Sequence, residues 1–156
     1  MLGLTRCLSR MIDAVRDGRG VAAVEFALAA PLLATILTVL VDFGFGFYEK
    51  MQVEDAAQAG AQYALLYGWD STAIQNAVTN ATPLSGLSAT PAPTKTCGCP
   101  SGTSVTAATC GATCSNGLSA GTYVTISAQA TYTPLISYAV MGSTVTLSAQ
   151  SVARIQ

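Results

Sequence analysis

The chain contains no histidine, and only 10% of its 156 residues are charged. Histidine is the most frequent general base near neutral pH and the commonest metal ligand, so the sequence lacks both. Seven Lys and Arg residues against eight Asp and Glu residues give a formal net charge of −1. The sequence therefore shows no basic footprint for nucleic acid. Low charge with 51% apolar residues is also the reverse of a disordered composition.

The few charges are unevenly distributed along the chain. Residues 1–20 carry four Arg and two Asp residues, which is a local excess of positive charge. From residue 71 onward only Lys95 and Arg154 are charged, while 28 residues of this stretch are Ser or Thr. A charge-poor, Ser/Thr-rich composition favours an exported domain.

The segment after the basic residues predicts a transmembrane helix. Residues 26–41 contain no charge, and residues 21–41 are interrupted only by Glu25. Twenty-one helical residues span about 32 Å, which matches a hydrocarbon core of about 30 Å. The Arg-rich flank places the N-terminus in the cytoplasm, and residues 43–48 resemble an aromatic interfacial belt. The alternatives are a buried core helix and a cleaved signal peptide, although the apolar run exceeds the usual h-region and lacks a clean small-x-small site.

Glu25 is the unusual residue of this segment, because a carboxylate among lipid tails costs about 2.5–3.5 kcal/mol at the centre of a span. Gly20, four residues, then Glu25 and Phe26 resemble the cleavage signal of type IV prepilins, in its Flp/Tad form. The resemblance implies that a membrane-embedded prepilin peptidase cuts between Gly20 and Val21. The new α-amino group of Val21 would then lie one helical turn from Glu25 and could pair with it. The alternative is a Glu side chain that extends to the headgroups.

A longer stretch extends the resemblance to one family. Residues 20–33, 41–44 and 56–64 are similar to TadE-like pseudopilins of the tight-adherence pilus system, with TadF-type pseudopilins sharing the same head, and the tail after Tyr123 is more weakly similar. The resemblance implies a single-pass protein of the bacterial inner membrane, with a periplasmic C-terminal module that enters the pilus or its tip. It implies as partners the prepilin peptidase, the major Flp pilin, other pseudopilins, the assembly platform and membrane lipid.

Beyond the membrane the sequence predicts a continued helix over residues 48–67. Small and apolar residues recur there at helical spacing and predict a stripe that packs on the protein's own sheet or on a neighbouring stem: Val53, Ala56, Ala57, Gly60, Ala61, Ala64 and Leu65. A shorter helix with Asp70 or Ser71 as its N-cap is expected to run to about Asn80.

Residues 82–121 contain four prolines and many Gly, Ser and Thr residues, which predicts irregular structure. Two disulfides among four closely spaced cysteines would tie this stretch down, with three connectivities open: Cys97, Cys99, Cys110 and Cys114. A zinc site is the alternative, but the C-x-C and C-x3-C spacings depart from its usual pattern. Alternating residues predict strands over 123–132 and 143–155, joined through 134–142, with a third strand from residues 103–108.

These elements predict an α+β fold, in which a long N-terminal helix packs on a small antiparallel sheet with a disulfide-tied loop, and the resemblance to pseudopilins implies that this fold is pilin-like. The expected divisions are a cleaved leader (1–20), a transmembrane helix (21–48), a helical stem (49–82) and an exported β module (83–156). The sequence offers no catalytic constellation, so we expect neither enzymatic activity, a cofactor nor a metal. The function that the resemblance implies is that of a minor pseudopilin that assembles, primes or caps an adhesive pilus. The alternative is an uncleaved, membrane-anchored envelope protein.

Overall fold

The computed structural model describes residues 20–102, 104–135 and 143–155. The predicted leader, apart from Gly20, and most of the connection predicted for residues 134–142 lie outside the described residues. The chain divides into two compact units, with the boundary after Phe43. In chain order the described elements are helix α1 (Val21–Tyr67), helix α2 (Ser71–Thr79), and strands β1 (Thr94–Ser101), β2 (Ser104–Ala107), β3 (Gly121–Tyr132) and β4 (Val145–Arg154).

In the first unit the described chain is the apolar start of α1. Among the described helices α1 is the one long and apolar enough to cross a membrane, and its most apolar 18-residue window is wholly unburied. Pro31 lies inside the helix. The hydroxyl of Thr35 donates to the Pro31 carbonyl, and the hydroxyl of Thr38 donates to the Ala34 carbonyl at 2.8 Å. These bonds satisfy the two hydroxyl groups within the apolar helix, whereas the helix hydrogen bond that Pro31 removes is the one to the carbonyl of Ala27.

In the second unit the predicted stripe of α1 packs on the protein's own sheet. Its members are buried in one cluster with residues of α2 and the sheet, which include Ile74, Val78, Val124 and Ile126. Leu65 is the exception, because its side chain is 56% exposed and the prediction that it belonged to the stripe was wrong. One residue advances a helix by about 100°, so Leu65 is turned away from the face that holds Ala64.

Gly60 sits where α1 approaches its neighbours most closely. A Cβ atom built on Gly60 would lie 2.6 Å from Cγ2 of Val78 and 2.9 Å from Cγ2 of Ile126. Both side chains are fully buried. The hydrogen at this position therefore lets α2 and β3 pack against the helix backbone.

The short helix α2 forms as its sequence predicts. Asp70 is the N-cap, and its Oδ1 accepts hydrogen bonds from the backbone N–H groups of Thr72 and Ala73 at 3.0 Å each. These bonds satisfy two donors that have no partner within the first helical turn. Ile74 and Val78 lie one turn apart and are buried. The cap thus fixes the helix start and the two apolar residues fix its docking.

The sheet is antiparallel, with strand order β2-β1-β3-β4. The predicted strands over 123–132 and 143–155 are confirmed as β3 and β4, which pair over ten residue positions. Strand β2 confirms the third strand expected from residues 103–108. The predicted apolar face of β3 is present, since Val124, Ile126 and Ala128 are fully buried, but the opposite face is not uniformly wet, because Ser127 is only 7% exposed.

Strand β1 corrects the prediction that residues 82–121 are irregular outside the strand expected from 103–108. It runs from Thr94 to Ser101 and pairs with both β2 and β3. Proline suggested a loop, but Pro93 precedes the strand and Pro100 is its next-to-last residue. Proline is tolerated at such positions because few ladder hydrogen bonds are lost there.

Two further contacts join α1 to the sheet within the second unit. The ammonium of Lys50 donates to the carbonyl of Ser148 on edge strand β4 at 2.6 Å and lies 3.1 Å from the carboxylate of Glu54. Nearer the start of the unit, a Cβ on Gly46 would lie 3.4 Å from the Tyr132 ring. The end of β3 therefore lies against the helix at a glycine.

Candidate functional site

The predicted processing site lies at the start of α1. Gly20 immediately precedes the first helical residue, Val21, and the Gly20 carbonyl accepts a hydrogen bond from the Val24 N–H at 3.2 Å. The side chains of Val21 and Phe26 are 54% and 69% exposed. The bond between Gly20 and Val21 thus joins a turn residue to the helix, and a cut there would leave every residue of the helix in place.

Glu25 lies on the exposed surface of the same helix. It follows Val21 by four residues, and side chains at this spacing occupy the same face of a helix. The first turn of α1 contains no acidic residue of its own. A positive amino group created at Val21 would consequently have Glu25 as the nearest carboxylate along the helix. The structure places Gly20, Val21, Glu25 and Phe26 within two helical turns.

The second candidate region is the loop that the cysteines tie down. Disulfides join Cys97 to Cys110 and Cys99 to Cys114, with Cα–Cα distances of 5.1 and 5.6 Å. The prediction of two disulfides is confirmed, and the connectivity that the sequence left open is now assigned. Cys97 and Cys99 are two residues apart on β1, so both point to the same face of the sheet. Both bonds therefore anchor the loop to a single strand.

Backbone hydrogen bonds shape the loop between those anchors. The N–H of Cys114 donates to the Leu118 carbonyl, and the N–H of Ala120 donates to the Ala112 carbonyl, each at 2.8 Å. Gly117 adopts a φ of 79°, which suits the turn because glycine pays no steric penalty there. Leu118 is 60% exposed. The loop is thus a small ordered hairpin that presents an apolar side chain to the surroundings.

A metal centre does not emerge from the arrangement of the described residues. Within residues 20–102, 104–135 and 143–155, no group of three or more His, Cys, Asp or Glu residues is placed to hold a metal ion. The four cysteines of the loop are all committed to disulfides. Their sulfur atoms are therefore not thiolate ligands in this structure.

Two contacts of the second unit were not predicted from the sequence. The ammonium of Lys95 lies 5.7 Å from the ring centroid of Trp69, a distance at which a cation is attracted to an aromatic face. The ring of Tyr132 lies against Gly46. Trp69 is the single tryptophan, and Lys95 is the single lysine after residue 50. The rarity of Trp69 and Lys95 could have marked them as residues of interest, but nothing in the sequence indicated that these two side chains are in contact.

Comparison with known proteins identifies the N-terminal part of the chain. Residues 20–62 match the family model described as TadE-like protein. No curated protein and no solved structure matches the chain. The match begins at Gly20 and extends through the apolar run into the part of α1 that packs on the sheet. It confirms the resemblance to the TadE-like family, which is associated with the Tad pilus system.

Proposed function

From this TadE-like N-terminal segment, we propose that the chain is a minor pseudopilin that takes part in assembling, priming or capping a tight-adherence pilus. In this proposal it inserts once into the bacterial inner membrane with its N-terminus in the cytoplasm. A prepilin peptidase removes residues 1–20, and the second unit is exported to the periplasm. The protein acts through binding and has no enzymatic role.

The observation that carries the proposal is that the start of the family match and the start of the helix meet at one peptide bond. The family match begins at Gly20, the helix begins at Val21, and the uncharged run follows after Glu25. A leader with four Arg residues precedes this point, as expected for a cytoplasmic flank. Cleavage here would separate the basic leader from the helix without removing any helical residue.

Cleavage would also change the electrostatics of the helix start. A free α-amino group has an ordinary pKa of about 7.7–8.0 and is largely positive at neutral pH. It would lie one turn from Glu25, in the same chain or on the helix of a neighbouring subunit. A charge within an apolar segment is normally paired with another group. We therefore assign Gly20 to processing and Glu25 to assembly.

The exported unit supplies the recognition surface in this proposal. The disulfides Cys97–Cys110 and Cys99–Cys114 hold the loop in one conformation, and such bonds persist in an oxidising compartment such as the periplasm. We propose that this loop contributes specificity for the partners, namely the major pilin, other pseudopilins and the assembly platform. A loop that is already rigid before binding loses less conformational entropy when a partner binds.

The experiment is intact-mass analysis of the protein expressed with an active prepilin peptidase. We expect a product that begins at Val21 for the wild type. Gly20→Leu places a bulky side chain at the cleaved bond, and we expect that variant to keep residues 1–20. Gly18→Leu is the matched control, because it makes the same exchange two residues upstream, and we expect it to be processed.

The outcomes separate the proposal from its alternative. A wild-type protein that still begins at Met1 beside an active peptidase contradicts the pseudopilin and favours a permanently anchored envelope protein. Processing of Gly20→Leu as efficiently as the wild type shows that another bond is cut. Equal blockage in both variants shows that the leader as a whole, and not Gly20, determines recognition.

A further inference from the structure

Near the start of the second unit, α1 carries exposed aromatic side chains on every side but one, and a tyrosine of the sheet covers that remaining side. Phe45, Phe47 and Tyr48 are exposed on α1. With about 100° between successive helical residues, these three leave one gap of about 200°, centred on Gly46. The Tyr132 ring lies against Gly46, at 3.4–3.8 Å from the position of a Cβ atom. Tyr132 thus completes a ring of aromatic side chains around the helix.

Aromatic residues arranged in this way have a characteristic environment. Tyr and Trp collect at the boundary between lipid tails and water, because their rings are apolar and their polar atoms reach the headgroups. Gly46 comes five residues after Val41, the last residue of the uncharged run, and five helical residues rise about 7.5 Å. Headgroup layers add about 5–8 Å on each side of the hydrocarbon core.

The chain that follows Tyr132 has the composition of a membrane contact. Leu135 is 67% exposed, three residues after the end of β3. Between Lys95 and Arg154 the sequence contains no charged residue. An exposed apolar side chain in an uncharged stretch of the sequence is suited to the interfacial layer of a bilayer, where its burial is favourable.

We infer that the end of β3 is a second membrane contact, in which Tyr132 and Leu135 lie in the interfacial layer of the bilayer beside Phe45, Phe47 and Tyr48. The inference rests on the proposed transmembrane role of α1, which itself carries three residues of this surface, Phe45, Phe47 and Tyr48. The sheet is then held at the membrane surface by its own side chains as well as by the helix.

The other end of β3 provides an internal comparison. Leu118 precedes β3 by three residues, as Leu135 follows it by three, and the two side chains are 60% and 67% exposed. Both lie in the uncharged part of the sequence. The strand of twelve residues spans about 36–40 Å, and the two leucines lie beyond its opposite ends. The exposure of the two side chains and the lack of charge in the flanking sequence are therefore matched, while their positions at opposite ends of β3 differ.

The test places a single tryptophan at chosen positions of the full-length chain. Trp69, the one native tryptophan, is replaced by Phe, and Leu135→Trp or Leu118→Trp is added. A third variant carries Leu33→Trp within the apolar run. Each protein is reconstituted into phosphatidylcholine vesicles with or without bromine on the acyl chains, which quenches nearby indole fluorescence.

We expect bromine to quench Leu33→Trp strongly and roughly to halve the emission of Leu135→Trp, as for a residue of the interfacial belt, while Leu118→Trp is unaffected. Equal bromine quenching of Leu135→Trp and Leu118→Trp, with Leu33→Trp strongly quenched, overturns the inference and leaves the transmembrane helix intact. Absence of quenching at Leu33→Trp contradicts the transmembrane helix and the inference together.

Discussion

Replacing Gly60 by alanine sets two opposing effects against each other. In an open helix the exchange stabilises the fold by about 1 kcal/mol, because glycine is the poorer helix former. At Gly60 the new methyl group would lie 2.6 Å from Val78 and 2.9 Å from Ile126. Overpacking a tight core costs about 1–3 kcal/mol. We therefore expect Gly60→Ala to range from neutral to about 2 kcal/mol less stable.

A double variant isolates the packing term. Val78→Ala alone leaves a cavity in a fully buried site and destabilises the fold. In combination with Gly60→Ala, the added methyl group occupies part of that cavity, and the contact at 2.6 Å is removed. The double variant should be more stable than the sum of the single effects predicts, with a coupling of about 0.5–3 kcal/mol.

The measurement is urea unfolding of the full chain in detergent micelles, followed by the fluorescence of Trp69. Two results would refute the reasoning. A gain of about 1 kcal/mol in Gly60→Ala would show that the helix has room for a side chain at this position. Additive effects in the double variant would show that Val78 is not the group that limits the space.

Two smaller predictions concern the loop and α2. Replacing Cys99 and Cys114 together by Ser opens a disulfide with a sequence separation of 15 residues, and we expect this change to lower the free energy of unfolding by about 3 kcal/mol. A reducing agent should then destabilise this variant less than the wild type. Equal destabilisation of the two proteins would contradict the assigned pairing. Replacing Asp70 by Ala removes the cap of α2 and should cost about 0.5–2 kcal/mol by the same unfolding assay, whereas Asp70→Asn retains an accepting oxygen, so a similar loss in both would contradict the capping role.

The regular elements were predictable because their patterns are local. Asp70 followed by helix-forming residues specified α2, and the period-two alternation around Val124 specified β3. The long helix followed from an uncharged run of membrane length and a stem without proline. In each case the residues that define the element are neighbours in the sequence, so no knowledge of the tertiary structure was required.

The features that escaped prediction depend on distant parts of the chain. Strand β1 follows one proline and contains another, and only its pairing with β2 and β3 makes it a strand. Four cysteines permit three pairings, and the register of β1 against the following hairpin determines which one forms. The contact of Tyr132 with Gly46 joins residues 86 positions apart. Local hydrophobic periodicity and turn signals give no information about contacts at that separation.

The hydrogen bond from Lys50 to Ser148 has a consequence for contacts between copies of the protein. Strand β4 is an edge strand, and unpaired backbone at a sheet edge invites a foreign strand to add to it. An incoming strand would displace the Lys50 ammonium from the Ser148 carbonyl and cover its ion pair with Glu54, and burying charged groups in this way is unfavourable. Lys50 therefore disfavours the addition of a strand from another copy to β4. Neighbouring copies would then have to contact one another through side chains.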